Sequence, residues 1–211
     1  MSKKIKDTDY LVISARVKAM ESGLLTRERM EQVLEAKSSE DAVKILQECG
    51  YPALDPADPA AMDAALSAAR EETLKDLADG APDPRYIDSF KLKYDYHNVK
   101  ALLKAEAMGT SADSMLMDLG RVPVAELKEA VRTGQLDALP NLLAEAVTEA
   151  REVLGTTSDP QLSHIVLDRW CYRDLAQVAE STGSAFLMGY VQTQIDAANL
   201  RTLVRTLRMG K

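Results

Sequence analysis

The chain has 211 residues, of which 46% are hydrophobic and 28% charged, a balance typical of a soluble globular protein with one large or two small domains. Its net charge of −7 argues against general nucleic-acid binding, because neutralising phosphates requires a basic face. No run reaches the roughly 18 apolar residues of a membrane span, and the cationic N-terminus lacks the apolar core of a secretory signal.

The first quarter of the chain reads as three helices separated by glycine and turn residues. "YLVISARVKAMES" is helical in composition and stops at Gly23. Thr26 opens "RERMEQVLEAK", in which the apolar residues recur at helical spacing. Ser38 with Asp41 resembles a capping box ahead of the third helix, which Gly50 ends.

Proline or glycine marks each later helix start. We expect helices at Asp58-Pro59 to about Ala78, Pro84 to Gly109, Pro123 to Gly134, about Asp137 to Val153, Pro160 to Ser181, and after Gly183. Pro140 falls in the first turn of the helix from Asp137, where proline is tolerated. No segment alternates convincingly like a strand, so the sequence predicts an all-α fold.

One sixteen-residue motif occurs twice. "YDYHNVKALLKAEAMG" (94–109) and "IDAANLRTLVRTLRMG" (195–210) align without a gap, and seven of sixteen positions match identically or by cation exchange. Upstream, residues 25–46 align more weakly with residues 122–143 through apolar positions. We therefore predict two pseudo-repeated helical units of about 100 residues, at 1–110 and 111–211.

Each copy of the motif places polar residues on a helix stripe that also carries a leucine. Asp and Asn are poor helix formers because their side chains compete with the backbone for hydrogen bonds. Their recurrence predicts half-buried groups with fixed partners, which set how the helices of each unit cross. The residues assigned this repeat-motif structural role are Asp95, Asn98, Asp196 and Asn199. Contact with a partner, and less readily metal binding or catalysis, are the alternative interpretations.

The stripe beside these polar residues is mostly apolar in both copies. It contains Val99 and Leu103 in the first copy, and Leu200, Val204 and Leu207 in the second. We expect this stripe to face a core in both copies.

Charge is unevenly distributed along the chain. Residues 38–88 carry 12 acidic and 4 basic residues, whereas residues 199–211 carry four cations and no acid. Two pairs of cations one turn apart form basic edges and are candidate partner contacts: Lys100 and Lys104, and Arg201 and Arg205. Solvation of the surface is the simpler explanation of such runs.

The sequence offers no recognisable catalytic constellation. His97 and His164 lack the Glu-x-x-His spacing of di-iron bundles, and no HExxH, Gly-rich phosphate loop or GxSxG is found. Cys49 and Cys171 are expected to be reduced, buried thiols, and Trp170 and Tyr172 core or interface aromatics. We therefore expect no catalytic residue, no metal ligand and no cofactor.

Several motifs together resemble the C subunit of the archaeal and bacterial A/V-type rotary ATPases, the family that includes the d subunit of eukaryotic V-ATPases. They are "ARVKA", the "LEAKS" element, "GY", "YDYHNVKALLKA" and "FLMGYVQTQIDAANLRTLVRTLRMGK". The resemblance spans essentially the whole chain. Its one departure is that the family usually carries three such units, so a third unit is expected to be absent here.

The resemblance implies a part of a funnel-like helical assembly with no nucleotide site. Such a protein would connect the central-shaft subunits to the proteolipid ring, on the cytoplasmic side of the membrane, and would contact the membrane only through the complex. It would be a non-catalytic central-stalk connector for ATP-linked H⁺ or Na⁺ transport. The alternative is an unrelated all-helical protein–protein adaptor.

Overall fold

The computed structural model describes residues 5–210, which contain nine α-helices and no strand. The helices are α1 Leu11–Glu21, α2 Arg27–Leu34, α3 Ser39–Glu48, α4 Pro59–Gly80, α5 Arg85–Met108, α6 Val124–Thr133, α7 Asn141–Thr157, α8 Pro160–Thr182 and α9 Ala185–Arg208. The prediction of an all-α fold is confirmed over this range.

The helix starts follow from their capping residues. The Thr26 hydroxyl accepts from the Arg29 N–H at 3.2 Å at the start of α2, and the Ser38 hydroxyl accepts from the Asp41 N–H at 3.1 Å at the start of α3. These bonds satisfy N–H groups that have no partner inside the first turn.

Two long helices begin with the same dipeptide. Asp58-Pro59 opens α4 and Asp159-Pro160 opens α8, and each Asp carboxylate accepts N–H groups of its helix. Proline suits the first helical position because its missing N–H has no partner there.

The chain divides into two compact units, one up to Pro84 and one from Arg85 onward. In the first unit α2 packs on α3, and α1 packs on α4. The contact between α1 and α4 is close, because a Cβ built at Gly80 would lie 2.7 Å from Cδ1 of the buried Ile13.

The second unit contains the larger hydrophobic core. In it, α8 packs against α5, α7 and α9, while α6 packs against α5. Fully buried members of this core are Leu92, Val99, Leu127, Leu143, Ala146, Val147, Ala150 and Leu167. The core positions α5, so the first copy of the repeated motif belongs to the second compact unit.

The division at Pro84 differs from the predicted repeat boundary after residue 110. The difference arises because α5, which ends the first sequence repeat, buries its apolar stripe against α6, α7 and α8. Along the chain, α2 to α5 and α6 to α9 form two successive sets of four helices. In each set, the last two helices are longer than the first two. The pseudo-repeat stays a prediction.

The expected start of α7 is wrong by four residues. The helix begins at Asn141 and not near Asp137, and it continues to Thr157 and not Val153. Pro140 is the N-cap of α7 and does not lie in its first turn. A proline disfavours helical backbone in the residue before it, so the helix does not extend back through Leu139.

Leu127→Ala is expected to lower the free energy of unfolding of the second unit by about 2–5 kcal/mol, because Leu127 is fully buried and truncation leaves a cavity. Urea unfolding followed by fluorescence of Trp170, the single tryptophan, measures this unit. The control Leu207→Ala removes a side chain that is 66% exposed and should change the free energy by about 0.5 kcal/mol or less. Equal effects of the two substitutions would contradict the assignment of the core.

Candidate functional site

Asn98 of α5 is fully buried and fixes the loop that follows this helix. Its Nδ2 donates to the Met117 carbonyl at 2.8 Å, and its Oδ1 accepts from the Met117 N–H at 2.9 Å. The amide thus pairs with both backbone groups of one residue, as a neighbouring strand would. Replacing it would leave buried backbone groups unpaired, at a cost of about 1–3 kcal/mol each.

Asp95, one turn earlier on α5, is also fully buried and holds the end of the same loop. Its Oδ1 accepts from the backbone N–H groups of Arg121 at 2.9 Å and Val122 at 3.2 Å. Its Oδ2 accepts from Arg121 Nε at 2.8 Å. Three donors therefore converge on one carboxylate, and α6 begins two residues beyond this anchor.

The loop approaches Asp95 so closely that only glycine fits before the arginine. A Cβ built at Gly120 would lie 2.1 Å from Asp95 Oδ1, far inside any permitted contact. Glycine at position 120 is therefore a steric requirement of this carboxylate site.

Arg121 joins α5 to α8 through a second buried carboxylate. Its Nη2 donates to Asp174 Oδ2 at 2.7 Å, and its Nη1 to Oδ1 at 3.4 Å. The buried Tyr96 hydroxyl also donates to Asp174 Oδ2, at 3.2 Å. We call Asp95, Tyr96, Arg121 and Asp174 the buried ion cluster; it ties α5, the loop and α8 together.

Burial and charge act in opposite directions on the pKa values of Asp95 and Arg121. Burial raises the pKa of Asp95, although hydrogen bonds and the charge of Arg121 act to lower it. Burial lowers the pKa of Arg121, but Asp174 and Asp95 outweigh it, so this pKa is raised. Burial and the charge of Asp174 raise the pKa of Tyr96, which stays a neutral donor. By geometry, the Arg121 guanidinium lies between the carboxyl groups of Asp95 and Asp174.

The second copy of the motif lies in a different environment. Asp196 and Asn199 of α9 are exposed, and within residues 5–210 their side chains have no hydrogen-bond partner. The neighbouring Leu200, Val204 and Leu207 are 63%, 47% and 66% exposed. The expectation that this stripe faces a core in both copies holds for Val99 and Leu103 on α5 and is wrong for α9.

The candidate basic edges also differ between the copies. Lys100 is half-buried and forms an ion pair with Asp168 of α8, while Lys104 is exposed. Arg201 and Arg205 are exposed, and both line a groove between α8 and α9. The cations of α9 are therefore more accessible than Lys100.

The remaining candidates have structural surroundings. His97 is exposed and within 3.0 Å of the Met115 carbonyl. Trp170 is buried, and its Nε1 donates to Glu149 at 2.6 Å, whereas Tyr172 is half-buried. Cys49 and Cys171 are free thiols, as expected, but they are half-buried and not buried; burial raises the pKa of Cys171 to about 12.

Metal-holding groups and membrane-spanning helices are both missing from residues 5–210. No group of three or more His, Cys, Asp or Glu side chains among these residues is arranged to hold a metal ion. No helix in the same range has the length and apolar character needed to cross a bilayer. The buried carboxylates Asp95 and Asp174 are committed to Arg121 and to backbone donors. These bonds form a structural joint between α5, the loop and α8.

A sequence model of the family described as the ATP synthase (C/AC39) subunit matches residues 13–211 of the chain. The chain belongs to this family. The match includes both copies of the repeated motif, α5 and α9, together with the loop that supplies Arg121.

Curated relatives agree with the family. The chain is 25% identical to the C subunit of the V-type sodium ATPase of Enterococcus hirae, over 93% of this chain and 60% of that protein. It is 24% identical to the C subunit of the A-type ATP synthase of Methanocaldococcus jannaschii, over 93% and 54%. It is 26% identical to the C subunit of the V-type ATP synthase of Thermus thermophilus, over 96% and 64%. The chain therefore spans less than two thirds of the length of these relatives.

The sequence alone identifies only some of the residues that form the structural joint. The motif identifies Asp95 and Asn98, but it gives no indication of Gly120, Arg121 or Asp174. Asp174 carries a detectable signal, because it continues the buried stripe of Leu167 and Trp170 at helical spacing. Arg121 lies in a loop, where no periodicity indicates which residue faces inward.

Arg121→Met is expected to lower the free energy of unfolding by about 3–5 kcal/mol at pH 7, because it leaves buried carboxylates without their cation. The loss should shrink on acidification. Since burial already raises the pKa of Asp95, the folded variant binds a proton more readily than the unfolded chain, so stability rises as pH falls from 7 towards the ordinary Asp range.

Urea unfolding of Arg121→Met at pH 7 and pH 5 tests this. Adding Asp95→Asn should recover part of the loss at pH 7. The exposed control Arg132→Met should leave stability nearly unchanged, because the ion pair of Arg132 with Glu129 lies in water. A loss independent of pH that Asp95→Asn does not relieve would contradict the electrostatic explanation.

Gly120→Ala and Gly155→Ala form a matched pair with opposite expected signs. Gly120→Ala should destabilise the chain, by about 1–3 kcal/mol, because the new methyl group displaces the loop from Asp95. Gly155 lies inside α7 with open space around its Cβ position, so Gly155→Ala should stabilise by about 0.5–1 kcal/mol. The measurement is the urea midpoint of unfolding of each variant beside the unsubstituted chain. Destabilisation of equal size at both sites would contradict the steric explanation.

Proposed function

We propose that this chain is a non-catalytic central-stalk connector of a rotary A/V-type ATPase. It couples the central-shaft subunits to the proteolipid ring for ATP-linked transport of H⁺ or Na⁺. The observation that carries the proposal is the family match over residues 13–211, supported by relatives named as C subunits of such machines. The proposed position is peripheral, on the cytoplasmic side of the membrane, with membrane contact through the complex.

The construction of the second unit suits a part that transmits torque. A compliant coupling would store work locally before passing it on, so a connector benefits from a fixed geometry. The buried ion cluster fixes the loop to α5 and α5 to α8. A shared hydrophobic core supports the same helices, and interiors of this density yield little under load.

A non-catalytic role is consistent with the burial and hydrogen bonding of the carboxyl groups in the buried ion cluster. Asp95 and Asp174 of the second unit are buried, and both accept hydrogen bonds from Arg121. General acid or base catalysis requires a group that reaches a substrate within hydrogen-bonding distance. In this proposal ATP hydrolysis belongs to other subunits of the machine.

Charge distribution suggests which faces meet which partner. The acidic stretch 38–88 suits basic residues on a shaft subunit, and the exposed cations Arg201 and Arg205 suit an acidic surface at the ring or stator. Lys104 is exposed beside the paired Lys100 and adds a smaller basic contribution on α5.

Removal of this chain from the rotary complex should abolish ATP-driven ion uptake into vesicles, and adding it back should restore uptake. The double variant Arg201→Glu, Arg205→Glu should weaken association with the ring by about tenfold or more, because charge reversal replaces attraction with repulsion. Association is measured by titration of the labelled chain onto purified ring in lipid nanodiscs, at two salt concentrations.

The control for this experiment is Arg70→Glu, Lys75→Glu, which makes the same charge change at exposed positions of α4. Uptake that proceeds normally without the chain would overturn the connector role. Ring association that resists reversal of Arg201 and Arg205 would overturn only the assignment of faces.

A further inference from the structure

His164 lies in the second turn of α8, close to two lysines of α5. Its side chain is half-buried, and within residues 5–210 its buried Nε2 has no hydrogen-bond partner. The ring also hydrogen-bonds to the backbone of Lys100, which leaves Nε2 as the nitrogen that gains or loses a proton. Protonation there would create a buried N–H donor without an acceptor, and an unpaired polar group in the interior costs free energy.

The charges nearest to His164 act against its protonation. Burial is the largest cause that lowers its pKa, and the charges of Lys100 and Lys104 lower it further. The hydrogen bond to the Lys100 backbone and the charge of Asp168, one turn along α8, act to raise it. Asp168 forms an ion pair with Lys100, so its negative charge is partly neutralised. The balance lowers the pKa of His164 from its ordinary value of 6.5.

The charged groups of α7, which also packs on α8, are engaged elsewhere. Glu149 accepts a hydrogen bond from Trp170, more than one turn beyond His164 along α8. Arg151 forms an ion pair with Glu106 of α5, so the two charges offset each other. These residues therefore give His164 no free carboxylate that would favour its charged form.

The third helix packed on α8 is α9, and it adds cations. Arg201 and Arg205 of α9 line a groove together with Asp168 of α8. Their charges have the same sign as those of the α5 lysines, so they too oppose a further positive charge on this part of α8.

We propose that His164 makes the packing of α5 against α8 sensitive to pH. The uncharged ring is accommodated beside α5. The protonated ring places a third positive charge beside Lys100 and Lys104, and a buried donor without an acceptor. The contact between the two helices therefore weakens as the pH falls through the ordinary histidine range. This inference rests on the contacts of α8 and not on the proposed function.

Linkage gives the direction of the effect on stability. Between the ordinary histidine value of 6.5 and the lower pKa of the folded state, the unfolded chain binds more protons than the folded chain. The contribution of His164 to stability is therefore complete above this window and is lost as the pH falls through it. Asp95, whose pKa is raised, acts in the opposite sense, so the effect of His164 is read from variants compared at the same pH.

The first experiment is an NMR titration of the full chain, which has two histidines. Their ring Cε1–H signals are assigned with His97→Gln. The titration midpoint of His164 is expected to be lower in the folded chain than in the chain unfolded by urea. Lys104→Gln, at an exposed position of α5, should raise the midpoint of the folded chain because it removes one of the opposing charges.

Lys93→Gln is the matched control for this titration. Lys93 is exposed on the same helix, about 16 Å from Lys104 along the helix axis. Salt screens charges at such a distance, so this substitution should leave the midpoint of His164 nearly unchanged.

The second experiment measures urea unfolding at pH 7.5 and pH 5.5 by Trp170 fluorescence. His164→Gln should remove a part of the pH dependence: across this interval the ratio of folded to unfolded chain should fall severalfold more in the unsubstituted chain. The limit is about tenfold, set by an unfolded histidine that titrates near 6.5. The exposed His97, changed to Gln, is the control and should leave the pH dependence as it is in the unsubstituted chain.

Three results would overturn the proposal. The first is a His164 midpoint in the folded chain equal to or above that in urea. The second is a midpoint that Lys104→Gln moves no more than Lys93→Gln does. The third is the same pH dependence of unfolding in His164→Gln and in the unsubstituted chain. If His164→Gln does not fold, the titration of the Lys104→Gln chain still decides, since this variant changes only an exposed residue.

Discussion

The second unit depends on one cation held between two buried carboxylates. Arg121 bridges Asp95 on α5 and Asp174 on α8, and the backbone N–H groups of Arg121 and Val122 both donate to the same Asp95 oxygen. Because of this anchor the loop after α5 turns back along the helix, and α6 starts where its apolar side meets the core. The Arg121 guanidinium thus joins α5, the loop and α8, together with the Asn98 amide and the hydrophobic core.

This interaction fixes geometry more than it adds stability. Taking three charges out of water is expensive, and their mutual attraction roughly offsets that cost when the charges are fully hydrogen-bonded, as Asp95 is by three donors. The penalty for any alternative arrangement is larger, because a shifted loop would leave a buried charge unpaired. A joint with one permitted arrangement suits the connector role proposed above, and the surrounding apolar core adds rigidity.

The two copies of the motif show how the same residues behave in different surroundings. On α5, Asp95 and Asn98 are buried and each hydrogen-bonded, whereas on α9, Asp196 and Asn199 face water. The two helices have the same length, and each is followed by a glycine with positive φ, Gly109 or Gly210. The difference lies in what packs on the helix, so burial of this motif is a property of the partner element and not of the helix itself.

The sequence by itself determined the helices, most of their ends and the polar stripe. Caps such as Thr26 and Asp159, and prolines that lack an N–H, act within one turn of chain, so their effects are legible without a structure. Only the tertiary structure decided that Arg121 meets both Asp95 and Asp174, and that the apolar stripe of α9 is exposed. The two contacts of Arg121 join residues 26 and 53 positions apart, which no local pattern encodes. Periodicity defines a face of a helix, but the packing of other elements decides what covers it.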